Sequence, residues 1–150
     1  MAISDRIIRS RRVIHNLCHS PENMAWREMR KRCYSVQHAR YADYGGRGIS
    51  VCERWKASFE AFYEDMGPRP SSSHSLERIN NDGNYEPGNC RWATPQEQAR
   101  NRRNNRLLTF QGKTLCAAEW SAITGIHYNT LYGRIAKGWS DERVLTTPVR

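Results

Sequence analysis

Arg100, Arg102, Arg103 and Arg106 crowd the stretch QEQARNRRNNR, and guanidinium groups set that close together suit one task well. They hold phosphate oxygens through charge-assisted, often bidentate hydrogen bonds. A second candidate is Arg47, bracketed by Gly45, Gly46 and Gly48 in YGGRG, where glycine permits a tight turn or a close approach of backbone to phosphate. Arg47 is the group that would reach. No strand precedes the run, so it is not a dinucleotide-binding turn. The cysteines Cys18, Cys33, Cys52, Cys90 and Cys116 include no CxxC pair. Cys33, Cys52, Cys90 and a histidine would make a zinc set in principle, but no close-spaced ligand pair announces one, and buried, reduced thiols are expected instead.

The stretch from His74 to Asn105 positions most of these groups. Residues 74–79 predict a short strand, and the Asn-, Asp-, Gly- and Pro-rich run from Asn80 to Asn89 predicts a loop. Cys90 to Ala93 predicts a second strand. Thr94 then supplies an N-cap, Pro95 a first helical residue and Glu97 the carboxylate of a capping box, which starts a helix expected to carry the four arginines.

Upstream, Ser20-Pro21-Glu22 opens a helix in which Met24, Trp26, Met29 and Cys33 are expected to pack inward, leaving Arg27, Arg30, Lys31 and Arg32 on a basic outer face. Ile49 and Val51 alternate as in a strand. Trp55, Phe59, Phe62 and Met66 then fall at helical spacing as a core-facing stripe, and Gly67 to Ser73 connects to the central stretch. Residues 1–20 form a basic, partly amphipathic arm. The sequence leaves open whether it lies on DNA, on a second subunit or on the body of the protein.

After Asn105 the composition changes. LLTFQGKTL predicts a small hairpin or an extended link, Thr114 is the expected cap of a helix through Leu115, Ala118, Trp120 and Ile123, and a turn at Thr124-Gly125-Ile126 leads to a second helix. Ile126, Leu131 and Ile135 are expected to face inward. Two short helices joined by a Gly-containing turn suggest helix-turn-helix, with Tyr128, Asn129, Thr130, Arg134 and Lys137 toward the major groove. An ordinary helical hairpin with a polar face has the same pattern.

The whole chain has 150 residues, 38% of them hydrophobic, with a formal net charge of +9. That excess of Lys and Arg favours an acidic polymer as partner, nucleic acid before a membrane surface. No apolar run approaches membrane-spanning length, and the N-terminus lacks a continuous apolar core, so an intracellular protein is expected. The expected fold class is α+β, divided into the arm (1–20), a core (21–105) and a helical DNA-reading unit (106–150). Oligomeric state is not legible.

YGGRGISVCERW, DMGPRP, SLERINNDGNYEPGNCRWAT and EQARNRR together resemble phage and prophage proteins described as HNH-like, or His-Me finger, endonucleases. TFQGKTLCAAEWSAITGIHYNTLYGRIAKGWS resembles the DNA-binding repeat that accompanies such homing-type nucleases. The likeness implies a ββα core, duplex DNA as substrate, hydrolysis with Mg or another divalent ion, and a phage or prophage protein in the cytoplasm of its host. By position, it implies Glu77 for the metal-binding acid, Arg78 for the general-base histidine and Gln98 for the helix ligand, with Asn89 and Arg91 in the second strand. Asp82 and Asn89 are further candidate oxygen ligands. Arg78 departs from the pattern, because a guanidinium stays protonated near neutral pH and is no base. His74, on the same strand face as residues 76 and 78, is the candidate replacement. Two functions follow: a metal-dependent DNA endonuclease or nickase, or a catalytically lapsed DNA-binding protein acting as regulator, recombination accessory or inhibitor of host defence. RNA or an acidic protein partner is a third possibility.

Overall fold

The computed structural model describes residues 17–149, and the arm expected over residues 1–20 lies largely outside them. The fold is α+β, with helices and two small antiparallel sheets. The chain divides into two compact units, Met1–Pro95 and Gln96–Arg150. This boundary precedes the one expected after Asn105.

The first unit opens with helix α1 (Pro21–Tyr34), where the Ser20 side chain accepts from Asn23 N at 3.1 Å and proline occupies the first turn. Met29 and Cys33 are buried and Trp26 packs against the same core, but Met24 is exposed, contrary to expectation. It lies two residues, about 200°, around the helix from Trp26, so one stripe cannot hold both. Two successive 3-10 turns follow, Tyr41–Asp43 and Gly45–Arg47.

The aromatic stripe is core-facing as expected, but it is carried by two helices, α2 (Glu53–Ala57) and α3 (Phe59–Met66). Ser58 divides them. Its backbone is extended and its hydroxyl accepts from Ala61 N at 3.3 Å, the geometry of an N-cap. Trp55 and Phe62 are fully buried with rings edge to face at 5.1 Å, and Phe62 meets Trp92 in the same manner at 6.3 Å. Each indole N–H has an acceptor: Trp26 reaches Trp55 O at 2.7 Å, Trp55 reaches Asp65 Oδ2 at 2.7 Å, and Trp92 reaches Met66 O at 3.2 Å.

Strands β1 (Ser75–Arg78) and β2 (Cys90–Ala93) pair in the register Ser75↔Ala93, Leu76↔Trp92, Glu77↔Arg91, Arg78↔Cys90. Their connecting loop is tied inward by a parallel bridge between Val51 and Tyr85, and the hydroxyl of Tyr34 serves both Val51 N, at 2.9 Å, and Val51 O, at 3.3 Å.

Helix α4 (Pro95–Arg100) begins where expected and stops early. Asn105 Nδ2 donates to Ala99 O and Arg100 O, both at 2.7 Å, satisfying carbonyls that a longer helix would use. Arg102, Arg103 and Arg106 therefore stand on the turn beyond the helix, which corrects the single arginine-rich helix drawn from sequence.

In the second unit, strands β3 (Leu107–Phe110) and β4 (Lys113–Cys116) form the expected hairpin around Gln111-Gly112, both at positive φ. Helix α5 (Ala117–Thr124) is capped at Cys116, not Thr114: Glu119 Oε2 accepts from Cys116 N at 2.9 Å, and Leu115 belongs to β4. Gly125 ends α5 in the left-handed region, at φ 71. Helices α6 (Tyr128–Ala136) and α7 (Asp141–Thr146) close around Leu108, Ala117, Trp120, Leu131, Val144 and Leu145, with Ile126 and Ile135 packed alongside; Ile123 is exposed.

Candidate nucleic-acid interface

Arg78 ends β1 pointing into the protein. Its side chain is 6% exposed, its guanidinium lies 4.9 Å from the ring centres of both Tyr44 and Tyr85, and Nη1 donates to Gly83 O at 3.0 Å. The two rings are stacked at 6.3 Å, and burial, with the neighbouring Tyr44, pushes the Tyr85 phenol far above its ordinary range. Arg78 thus staples the loop to the core. Enclosed in this way, it is a packing cation rather than a group open to a scissile phosphate.

Glu77 is buried and its carboxylate accepts from Arg91 Nε at 2.9 Å, the partner directly opposite in register. His74 stands just before β1, half-buried, with Nδ1 bonded to Ser71 Oγ at 2.8 Å, so its ring is engaged by the serine turn that precedes the strand. Asp82 is exposed and ion-paired with Arg47. Asn89 braces the loop: its Oδ1 accepts from Asn80 N at 2.8 Å, and its Nδ2 donates to Asn84 O at 2.8 Å and Asn80 O at 3.2 Å. Gln98 lies half-buried on α4, in the other unit.

This donor set does not fit a divalent ion. Glu77, the one buried carboxylate among the candidates, already faces a guanidinium; Asp82 faces another; and the amide oxygen of Asn89 is committed to backbone. Among the described residues, no three His, Cys, Asp or Glu side chains form a group that could hold a metal. Burial raises the thiol pKa of Cys33 to about 11 and of Cys90 to about 12, so both are protonated, weakly nucleophilic packing groups near neutral pH.

The cationic candidates divide by exposure. Arg102, Arg103 and Arg106 are exposed; Arg106 also reaches Asp141 at 3.4 Å. Arg100 is half-buried at the end of α4. Arg91 is exposed at its edge despite the pair with Glu77, and Arg47 donates to Asp43 O at 3.1 Å as well as to Asp82. Tyr128 and Asn129 on α6, and Lys137 just beyond it, are exposed, and Thr130 is half-buried. Tyr128 and Tyr132 add an exposed ring pair 4.5 Å apart.

Arg134 does not belong to that surface. It is 7% exposed, Nη1 donates to Val144 O at 2.7 Å and Nη2 to Pro148 O at 3.2 Å, and the guanidinium lies 5.5 Å from the centre of the Trp139 ring. It closes the end of the second unit by satisfying carbonyls at and beyond the end of α7. Helical spacing alone could not distinguish this inward arginine from an outward one.

The glycine turn also has a use other than the expected one. A Cβ on Gly45 would stand 2.1 Å from Cys33 O and 2.5 Å from the Tyr41 ring, so the close approach is to the end of α1. Arg32 and Arg40 both lie against the Tyr44 ring, their guanidinia 5.4 and 5.8 Å from its centre. Tyr44, Tyr85, Arg32 and Arg40 escaped the sequence reading as one group, since they come from three separated segments; the only local hint is the run of tyrosine, glycine and arginine from Tyr41 to Gly48.

No family model, curated protein or solved structure matches the chain.

Proposed function

We propose that this chain is a duplex-DNA-binding protein of HNH-like ancestry in which the hydrolytic site has lapsed and the hairpin serves as a docking element. One observation carries the loss of chemistry: Arg78, at the position the resemblance gives to the general base, is sealed between Tyr44 and Tyr85 and bonded to Gly83 O. A permanently protonated guanidinium takes no proton from water. The pairing of Glu77 with Arg91 supports the same reading, because a guanidinium already balances the carboxylate charge that would attract a metal.

Binding rests on other features. The net charge is +9, and Arg102, Arg103 and Arg106 present exposed guanidinia beyond α4. The exposed face of α6 and the residue just beyond it offer Asn129 and Lys137 for groove and phosphate contacts, with Gly125 turning the chain between α5 and α6 in the manner of helix-turn-helix units. Phosphate contacts supply affinity and register; Asn129 is the candidate for base reading, since an amide matches the donor and acceptor of adenine.

The test pairs two assays on the purified full chain. In a gel-shift or anisotropy titration, duplex DNA binds with an affinity that falls steeply with salt. In a plasmid assay with Mg or Mn, supercoiled DNA stays intact. Undetectable or salt-insensitive binding removes the reading, and metal-dependent nicking removes its non-catalytic half.

A further inference from the structure

We propose that the first unit carries its own phosphate-docking surface, built by Arg32, Arg40 and Arg47 around Tyr44, and that it contacts the phosphodiester backbone of the same duplex. This deepens the DNA-binding reading and rests on it.

The surface is a network rather than a scatter of charges. The guanidinium of Arg32 lies 5.4 Å from the Tyr44 ring centre and that of Arg40 5.8 Å from it, with Arg78 at 4.9 Å behind. Arg40 Nε donates to Asp43 Oδ2 at 2.7 Å while Arg47 Nη1 donates to Asp43 O at 3.1 Å, so one residue joins both arginines. Arg47 then pairs with Asp82 on the loop between the strands. The ring contacts hold Arg32 and Arg40 in place, which lowers the ordering cost that weakens most arginine–phosphate contacts.

Glu28, Asp43 and Asp82 hold Arg32, Arg40 and Arg47, and His38 also bonds Glu28, at 3.0 Å. The Arg40 pair is 60% exposed on both sides, and exposed pairs of this kind contribute little. A duplex backbone, a run of phosphates with condensed counterions to release, is a stronger partner. Docking is therefore an exchange, in which phosphate oxygens take over guanidinium donors that carboxylates occupy in the free protein. Buried Arg78 fixes the rings from behind and stays covered.

The exchange predicts effects of opposite sign across one ion pair. In anisotropy titrations of the full chain with a 20-base-pair duplex (about 20, chosen to span two helical turns), Arg40→Ala and Arg47→Ala should each weaken binding about tenfold. Each should also lower the salt slope by about one. Asp82→Asn breaks the pair with Arg47 from the other side and should tighten binding about threefold. A gain in affinity cannot come from misfolding, so this variant keeps the test decisive even if an arginine variant is unstable. If Arg47→Ala and Asp82→Asn shift binding in the same direction, or neither shifts it, the pair only holds the loop and the proposal is overturned. An Arg102→Ala/Arg103→Ala variant separates the two readings. If it loses affinity while the first-unit variants bind normally, this surface alone is wrong; if the unaltered chain binds no duplex at any salt, both readings fall.

Discussion

A guanidinium enclosed by two phenol rings does structural work that shows up as stability. Arg78→Ala removes two ring contacts and the bond to Gly83 O, and should cost about 2–4 kcal/mol in a denaturant titration. His74→Ala should change stability by no more than about 0.5 kcal/mol, since its ring serves only an exposed turn. At Gly45, a methyl group meets the Cys33 carbonyl, so Gly45→Ala should cost about 1–3 kcal/mol. Asp65 supplies a pH signature. Hydrogen bonds from Arg54 and then from Trp55 hold its carboxyl below the usual carboxylate range, so its folded pKa lies beneath its unfolded one. The stability it contributes is present above the unfolded pKa of about 4 and is lost as pH falls through the folded value. Asp65→Asn should accordingly be less stable than the unaltered chain at neutral pH, with the difference closing in acid melts.

At the scale of elements, much of the architecture was legible because local chemistry fixes it. Ser20-Pro21 starts α1, Pro95 starts α4, the Asn- and Gly-rich run sets the loop between β1 and β2, and Gly125 ends α5. What sequence could not give was the outcome of competition. Ser58 splits an aromatic stripe that reads as one helix, Asn105 ends α4 before the arginines, and Leu115 joins a strand instead of a helix. Site geometry was legible in part. The two strands and the polar loop between them follow from local residue types, but their register, and the inward turn of Arg78 and Arg134, depend on partners distant in the chain, Tyr44 and Tyr85 for one, Val144 and Pro148 for the other. Ser58→Ala should cost about 1 kcal/mol of stability through loss of the α3 cap. On α6, Asn129→Ala should alter sequence preference with little loss of stability, whereas Arg134→Ala should destabilise the second unit; base-substituted duplexes and thermal melts separate the two.

For the molecule as a whole, we propose that it holds duplex DNA without cutting it. Charge would supply the holding. Arg102→Ala and Arg103→Ala should each flatten the dependence of affinity on salt by about one phosphate contact and leave thermal stability within about 0.5 kcal/mol, because both side chains are exposed. The proposed loss of cutting is argued from Arg78, from Glu77 paired with Arg91, and from oxygen donors committed elsewhere. The most direct measurement incubates supercoiled plasmid with excess full-length protein and Mg or Mn, and follows complex formation and strand integrity in the same samples. We expect a shifted complex that releases intact supercoiled plasmid after protein removal. Accumulation of nicked or linear plasmid that requires the metal and disappears with His74→Ala would contradict the claim and return catalysis to the hairpin.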